Sequence, residues 1–181
     1  TTYILKAMIE ADVKDALVGC MYDPPLAQKA NSVGIGSRFN CTFNSQENAQ
    51  FSEPLTCVAV VEGLHRGEIE GRRGMLAGAK IDNGPSALLR IGGVQVVVIS
   101  QRRQCCDPVM IECFGVNLRK LRSLVVKSRG HVRAGFDDIF SDDQIVEVDV
   151  PGLTTPVLSK VPYQNVPRPI YPLDPDMNWE V

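Results

Sequence analysis

A short segment in the last third of the chain carries side chains that can transfer protons and bind anions. The β-branched run at residues 124–126 predicts a buried strand, and a polar group follows it at once. This group consists of Lys127, Ser128, Arg129, His131 and Arg133. Ligands of α/β proteins bind where strands end and helices begin, so this segment is the first candidate for a functional site.

A helix is predicted directly after this polar group. The apolar residues at helical spacing are Val132, Phe136, Ile139 and Phe140. Ser128 has the side chain of an N-cap, so we expect it to accept a hydrogen bond from the first helical turn. The helix would then hold His131 in its first turn, at the carboxyl edge of the sheet.

Two familiar catalytic arrangements are poorly supported by the residue spacing. A serine triad could be drawn from Ser128, His131 and either Asp137 or Asp138, but no G-x-S-x-G elbow accompanies them. A catalytic zinc site needs about three protein ligands. The two histidines, at positions 65 and 131, are far apart and lack the H-E-x-x-H pattern, so no metal ligand is predicted in this chain.

A second polar group is predicted at the end of a β-hairpin. Residues 87–99 form two strand patterns joined by Gly92 and Gly93, a pair that tolerates the positive φ of a tight turn. The second strand runs into residues 100–104. Either Arg102 or Arg103 could bind a carboxylate there through two parallel hydrogen bonds.

The remaining patterns predict a single mixed-sheet α/β domain with flanking helices over residues 1–150. The predicted elements are a helix from Tyr3, a strand at Ala16–Tyr22, a helix capped by Asp23, strands at Arg38–Phe43, 55–61 and 145–150, and a short helix opened by Asp107 and Pro108. Glycines between residues 63 and 74 predict a polar loop in which His65 is solvated.

The last part of the chain, residues 151–181, carries seven of the twelve prolines, interleaved with aromatic and aliphatic residues. That density of proline excludes regular helix and central strand. The apolar residues argue against free disorder, so we expect an arm packed on the same domain.

Composition limits the classes of function. The 181 residues are 44% hydrophobic and 22% charged, with a formal net charge of −2, so neither nucleic acid nor an anionic membrane is an expected partner. No apolar run reaches the roughly 20 residues of a membrane span and no signal-peptide pattern is present, which predicts a cytoplasmic protein.

The six cysteines lack C-x-x-C spacing, so we expect reduced core thiols, with Cys105 and Cys106 the pair to test for reactivity.

Four segments together resemble the carboxy-terminal domain of the MlrC family, the microcystin-degradation metallopeptidase-like proteins. They are residues 92–104, 124–136, 148–154 and 168–174, in family order. The most specific is Lys-Ser-x-x-His-x-Arg-x-x-Phe, which begins at Lys127. The family usually has His-Phe-Arg where this chain has His131, Val132 and Arg133, a change that we expect to affect packing more than chemistry.

The resemblance implies a zinc-dependent peptidase or amidohydrolase acting on a peptide or amide small molecule. In that family a larger amino-terminal domain holds most of the zinc ligands, so zinc is expected there and not in this chain alone. An amphipathic helical pattern begins almost at residue 1, which is Thr, and we therefore expect the chain to be part of a longer protein.

By the same resemblance, residues 100–104 and 127–133 would form one wall of the substrate site. His131 would bind substrate or stabilise charge on the cleaved amide, and Ser128 would orient its neighbours. The cations expected to hold a substrate carboxylate are Lys127, Arg133, Arg102 and Arg103.

The alternative is a non-catalytic ligand-binding or assembly domain that keeps the fold without the chemistry. The reading frame upstream distinguishes the two: a domain bearing Asp, His and Glu ligands favours the enzyme.

Overall fold

The computed structural model describes residues 2–45, 52–128, 130–152, 155 and 157–178. The helices are α1 (Thr2–Glu10), α2 (Pro24–Val33), α3 (Val109–Glu112) and α4 (His131–Phe136). The strands are β1 (Ala16–Tyr22), β2 (Arg38–Phe43), β3 (Leu55–His65), β4 (Glu68–Glu70), β5 (Lys80–Asp82), β6 (Ser86–Ile91), β7 (Val94–Ile99) and β8 (Ser123–Val126). Short 3₁₀ turns occur at Gly74–Leu76, Leu118–Lys120, Asp142–Gln144 and Leu158–Lys160.

Six strands form one mixed sheet in the order β2-β3-β6-β7-β1-β8. Strand β1 runs parallel to both of its neighbours, with Val18 opposite Val96 of β7 and Val125 of β8. The other pairs in this sheet are antiparallel. The prediction of a single mixed-sheet α/β domain is therefore confirmed.

Both faces of the sheet are covered, which suits strands as largely apolar as β1 and β7. On one face Val18 and Val96 pack with Leu26 of α2. On the other face Val97 packs with Phe136 of α4. The core therefore has two apolar layers, one on each side of the sheet.

The predicted Gly-Gly hairpin joins β6 and β7. Ile91 and Val94 pair at its end, and Gly92 adopts a φ of 58°, which favours glycine at the turn. A side chain on Gly93 would lie 2.3 Å from the carbonyl oxygen of Val13. The two glycines therefore have different roles: Gly92 forms the turn, and Gly93 lets the preceding loop pack against it.

The predicted cap of α2 is present and also makes a long-range contact. One carboxylate oxygen of Asp23 accepts a hydrogen bond from the Leu26 N–H at 3.1 Å, as an N-cap does. The other accepts from the N–H of Asn44 at 2.7 Å, just after β2. Asp23 is buried, so it fixes the start of α2 against the end of the edge strand.

Two predictions of local structure are wrong. Residues 145–150 form no strand, and Val146 and Val148 are 80% and 63% exposed, because neither edge of the described sheet pairs with this segment. The glycine-rich region after residue 63 is not simply a loop. It contains the end of β3 and strand β4, whose Ile69 pairs with Ile81 of β5.

The proline-rich segment has little regular structure in its described part. Leu158–Lys160 is a 3₁₀ turn, and the side chains of Tyr163 and Tyr171 are exposed. Arg168 pairs with Asp174 at 3.2 Å within the segment. That residues 151–181 form an arm packed on the domain stays a prediction. Among the described residues, no helix has the length and apolar character needed to cross a bilayer.

Candidate functional site

The strand ends that were predicted to carry the site lie at one edge of the sheet. Because β1 is parallel to β7 and β8, all three carboxyl ends point the same way. Tyr22 pairs with Ile99, and Gly19 pairs with Val126. Neighbouring strands are about 4.8 Å apart, so β7 and β8 are roughly 10 Å apart across β1, and β8 ends about three residues earlier along the sheet. This carboxyl edge is the candidate site.

Arg102 is the better placed of the two predicted arginines. Its guanidinium lies over the ring of Tyr22, 4.5 Å from the centroid, and both residues are exposed. Stacking uses the face of the guanidinium and leaves its in-plane N–H donors available to an anion. Arg103 instead donates from Nε to the carbonyl oxygen of Asp82 at 2.7 Å. It thereby ties the loop after β7 to β5.

Lys127 and Ser128 follow β8 at the same edge, as predicted, although Ser128 does not cap α4. Lys127 is exposed, and no described residue forms an ion pair with it. The N-cap of α4 is Gly130, which leaves Ser128 two positions too early to reach the free N–H groups of the helix. The Ser128 hydroxyl is buried and has no hydrogen-bond partner among the described residues. Arg129 lies outside the described part of the chain.

His131 and Arg133 lie on α4 in different environments. His131 is the first residue of this helix, and it is exposed. The guanidinium of Arg133 pairs with the carboxylate of Asp142 and, at 3.4 Å, with that of Glu147. Arg133 is therefore engaged by protein carboxylates, although such exposed pairs are weak and can exchange for another anion.

The prediction that His65 is a solvated loop residue is wrong. It ends β3, is half-buried, and meets the ring of Phe114 edge-on with centroids 5.9 Å apart. Its Nδ1 accepts a hydrogen bond from the Gly67 N–H at 2.9 Å, so the neutral ring carries its proton on Nε2. Strand β3 runs parallel to β7, since both are antiparallel to β6, and His65 therefore lies at the carboxyl edge. Four strand spacings, roughly 19 Å, separate β3 from β8.

Asn83 also belongs to this edge and was missed by sequence reasoning. Its backbone carbonyl accepts hydrogen bonds from the N–H groups of Ser100 and Gln101 at 3.1 and 2.9 Å. Those bonds set the direction of the loop that carries Arg102. The Asn83 Oδ1 and the Ser100 hydroxyl are buried without partners among the described residues. The Asn-Gly dipeptide at this position is a turn signal that could have drawn attention to it.

Asp107 organises the other side of the edge. This carboxylate is fully buried and accepts three backbone N–H groups, from Arg72 at 2.6 Å, Arg73 at 2.8 Å and Val109 at 2.9 Å. The sequence identified it only as the residue that opens α3. The side chain of Arg73 in turn pairs with Asp138 at 2.5 Å, just beyond α4. Asp107 thus links α3 to the helix that carries His131.

Three thiols near this edge, those of Cys20, Cys106 and Cys113, are poor nucleophiles at neutral pH. A hydrogen bond to Cys105, followed by burial, raises the pKa of the Cys20 thiol. Burial also raises the pKa of Cys106, and it raises that of Cys113 to about 11. Since the thiolate is the reactive form, the raised pKa of Cys106 does not favour it as a nucleophile.

The residues that the structure describes do not provide the ligand set of a zinc centre. Among the described residues, no group of three or more His, Cys, Asp or Glu side chains is placed to hold a metal ion. Zinc sites in proteins use three or four such ligands. This edge instead carries two exposed cations, Arg102 and Lys127, whose charge and N–H donors could bind an anionic group of a ligand.

Comparison with known proteins gives consistent matches. The family model described as "MlrC C-terminus" matches residues 1–165. Microcystinase C of a Sphingomonas species is 25% identical over 136 residues, which is 75% of this chain and 26% of that protein. A crystal structure described as a "Putative metallopeptidase" from Mesorhizobium sp. BNC1 aligns at a TM-score of 0.77 with 26% identity, covering 99% of this chain and 35% of that one. The chain thus spans about a quarter to a third of the length of these relatives.

The buried carboxylate of Asp107 yields a stability prediction. Asp107→Asn keeps the size of the side chain but replaces one acceptor oxygen with an N–H donor, which would face backbone donors. We expect unfolding free energy to fall by about 3 kcal/mol and the melting temperature by roughly 6–12 °C, measured by circular dichroism.

Asp143→Asn is the matched control, because Asp143 is exposed and no described residue bonds to its side chain. Its melting temperature should stay within about 2 °C of wild type. Equal melting curves for the two variants would contradict the structural role given to Asp107.

Proposed function

Since this chain belongs to the MlrC C-terminus family, we propose that it is the carboxy-terminal domain of a metallopeptidase-like hydrolase. The proposed substrate is a small molecule that contains a peptide or amide bond. One structural observation carries the proposal: Arg102 and Lys127 follow parallel strands at one sheet edge, with their donors available to a ligand. The greater length of the relatives supports a further, amino-terminal domain as the partner.

We propose that the amino-terminal domain holds the zinc ion. The description of one relative as a metallopeptidase supports a metal in the complete protein, and the described residues of this chain provide no ligand set. A bound zinc ion would polarise the carbonyl group that is cleaved. The residues of this chain would bind and orient the substrate beside it.

In this proposal Arg102 and Lys127 bind a substrate carboxylate from two sides. Their strands are two spacings apart, and an anion between the cations could accept hydrogen bonds from both. The Tyr22 ring under Arg102 restricts the guanidinium, which reduces the entropy lost on binding. Arg103 and Arg133 are secondary candidates, because Asp82, Asp142 and Glu147 already engage them.

His131 is proposed to donate a hydrogen bond to the substrate carbonyl or to the charge that develops on it. Its exposure at the start of α4 leaves the ring accessible to a ligand. The buried, unpartnered hydroxyl of Ser128 could orient the polar groups around it. These roles use hydrogen bonding and charge, and require no nucleophile from this chain.

The alternative is a non-catalytic ligand-binding or assembly domain, which is equally compatible with the lack of a metal-ligand cluster in the described part of the chain. In that case the same cations would bind an anionic ligand, and a substitution at His131 would leave any turnover unchanged.

The role of His131 can be tested in the full-length protein. His131→Ala should fold normally and lower kcat by roughly a hundredfold or more, as expected for loss of a group that stabilises developing charge. Asp137→Ala is the control, since this exposed side chain lies next to the same helix and its described hydrogen bond is only to the adjacent N–H. Near-normal turnover in a folded His131→Ala protein would exclude the proposed role.

The anion-binding role of Lys127 has a matched control at the other end of the same strand. Lys127→Ala should raise KM about tenfold or more for a carboxylate-bearing substrate, since a charged hydrogen bond contributes about 1.5–3 kcal/mol. Arg122→Ala removes a cation just before β8, at the opposite edge, and should leave KM within a factor of two or so. If both variants raise KM equally, net charge rather than position decides the effect.

Zinc content tests the proposed division between domains. The 181-residue chain, dialysed at neutral pH, should retain no stoichiometric zinc by elemental analysis, while the full-length protein retains it. One tightly held zinc per isolated chain would place the metal here and refute the assignment.

A further inference from the structure

Two thiols face each other across the antiparallel strands β2 and β3, away from the strand ends that form the candidate site. Cys41 and Cys57 are directly opposite in register, and their Sγ atoms lie 3.5 Å apart. Directly opposed residues in such pairs have Cα atoms about 4.5–5.5 Å apart, which falls within the roughly 4.4–6.8 Å that a disulfide spans. Rotation of the side chains could therefore bring the two sulfur atoms into bonding distance without moving the strands.

The two thiols differ in access and in acidity. Cys57 is half-buried, so a small reagent can reach it, whereas Cys41 is fully buried. The hydrogen bond between the two thiols lowers the pKa of Cys57 and, together with burial, raises that of Cys41. The more accessible sulfur is therefore also the one that becomes a thiolate first.

We propose that Cys41 and Cys57 form a dithiol site that is oxidised reversibly by small-molecule disulfides. The Cys57 thiolate attacks one sulfur of the reagent, which forms a mixed disulfide and releases one small thiolate. Cys41 then loses its proton to solvent and attacks the Cys57 sulfur, which releases the second small thiolate. The two protons given up by the protein thiols neutralise the two leaving thiolates, so the protein loses two hydrogens and the reagent is reduced to two thiols.

The cross-link would fasten the edge of the main sheet. Strand β2 has only β3 as a neighbour among the described strands, and it leads to Asn44, whose N–H bonds to the Asp23 cap of α2. Thr42 and Thr56 are hydrogen-bonded at 3.0 Å beside the cysteines and hold the same register. Oxidation would reduce the freedom of the unfolded chain by closing the loop between the two strands, and so stabilise this edge.

The other thiols provide an internal comparison. A hydrogen bond to Cys105 and burial raise the pKa of Cys20, and burial raises the pKa values of Cys106 and Cys113. These groups should react more slowly with the same reagent, although Cys20 and Cys105 are also neighbours. Fast oxidation confined to Cys41 and Cys57 is therefore a specific expectation.

The test uses the full chain and oxidised glutathione at pH 8, followed by intact-mass measurement and peptide mapping. Wild type should lose the mass of two hydrogens and yield one peptide pair joined through Cys41 and Cys57, and its melting temperature should rise by several degrees.

Three variants separate the roles of the thiols. Cys41→Ala should keep a stable glutathione adduct at Cys57. Cys57→Ser should slow thiol loss at least about tenfold, and Cys105→Ser should leave the reaction unchanged.

Circular dichroism of each variant establishes that it is folded, and Cys41→Ala avoids placing a hydroxyl in the core. A stable glutathione adduct on wild type, a cross-link through Cys20 or Cys105, or no reaction at Cys57 would each overturn the proposal. None of these outcomes depends on hydrolase activity, so the proposed function and the dithiol site can fail independently.

Discussion

The pairing of β1 with parallel neighbours on both sides is the constraint on which the candidate site depends. The first four residues of β1 are buried, because helices cover both faces of the sheet and neighbouring strands hydrogen-bond to both edges of β1. Parallel pairing then makes β7, β1 and β8 all end toward the same edge of the sheet. The polar residues that follow these strands, among them Arg102 and Lys127, therefore lie at that edge. The topology therefore explains why these two cations lie at one edge of the sheet, which is the edge proposed to bind an anion.

Tertiary contacts, rather than helix propensity, hold His131 in place at that edge. A six-residue helix such as α4 is too short to be stable alone in water. Phe136 is buried in the core, and Gly135 sits so close to the chain that a Cβ there would lie 2.1 Å from the Cys106 carbonyl oxygen. The next residue, Asp107, accepts the backbone donors of the turn that packs on α4. A buried carboxylate distant in sequence thus helps to hold the helix that carries His131.

The sequence predicted those elements whose signals are local. The Gly-Gly turn and the Asp23 cap each act within a few residues, and both were found where expected. The predicted strand at 145–150 was wrong because alternation along one segment says nothing about whether a partner strand exists. The prediction that Ser128 caps α4 was wrong because the helix begins at His131, so the N-cap position falls on Gly130. The environment of His65 was misjudged because the packing around it comes from segments distant in sequence.

The exposed state of the candidate site also bears on how it would work. A cation over an aromatic ring contributes about 0.5–1 kcal/mol in water and about 2 kcal/mol when desolvated. Arg102 over Tyr22 is at the weak end of that range in this chain, since both are exposed. A domain that closed over the edge would exclude water and strengthen this contact, along with every hydrogen bond from Lys127 to a bound carboxylate. Under the proposed function, substrate affinity and domain closure would therefore be coupled: the same cations that bind weakly in the open edge would bind tightly once the second wall is in place.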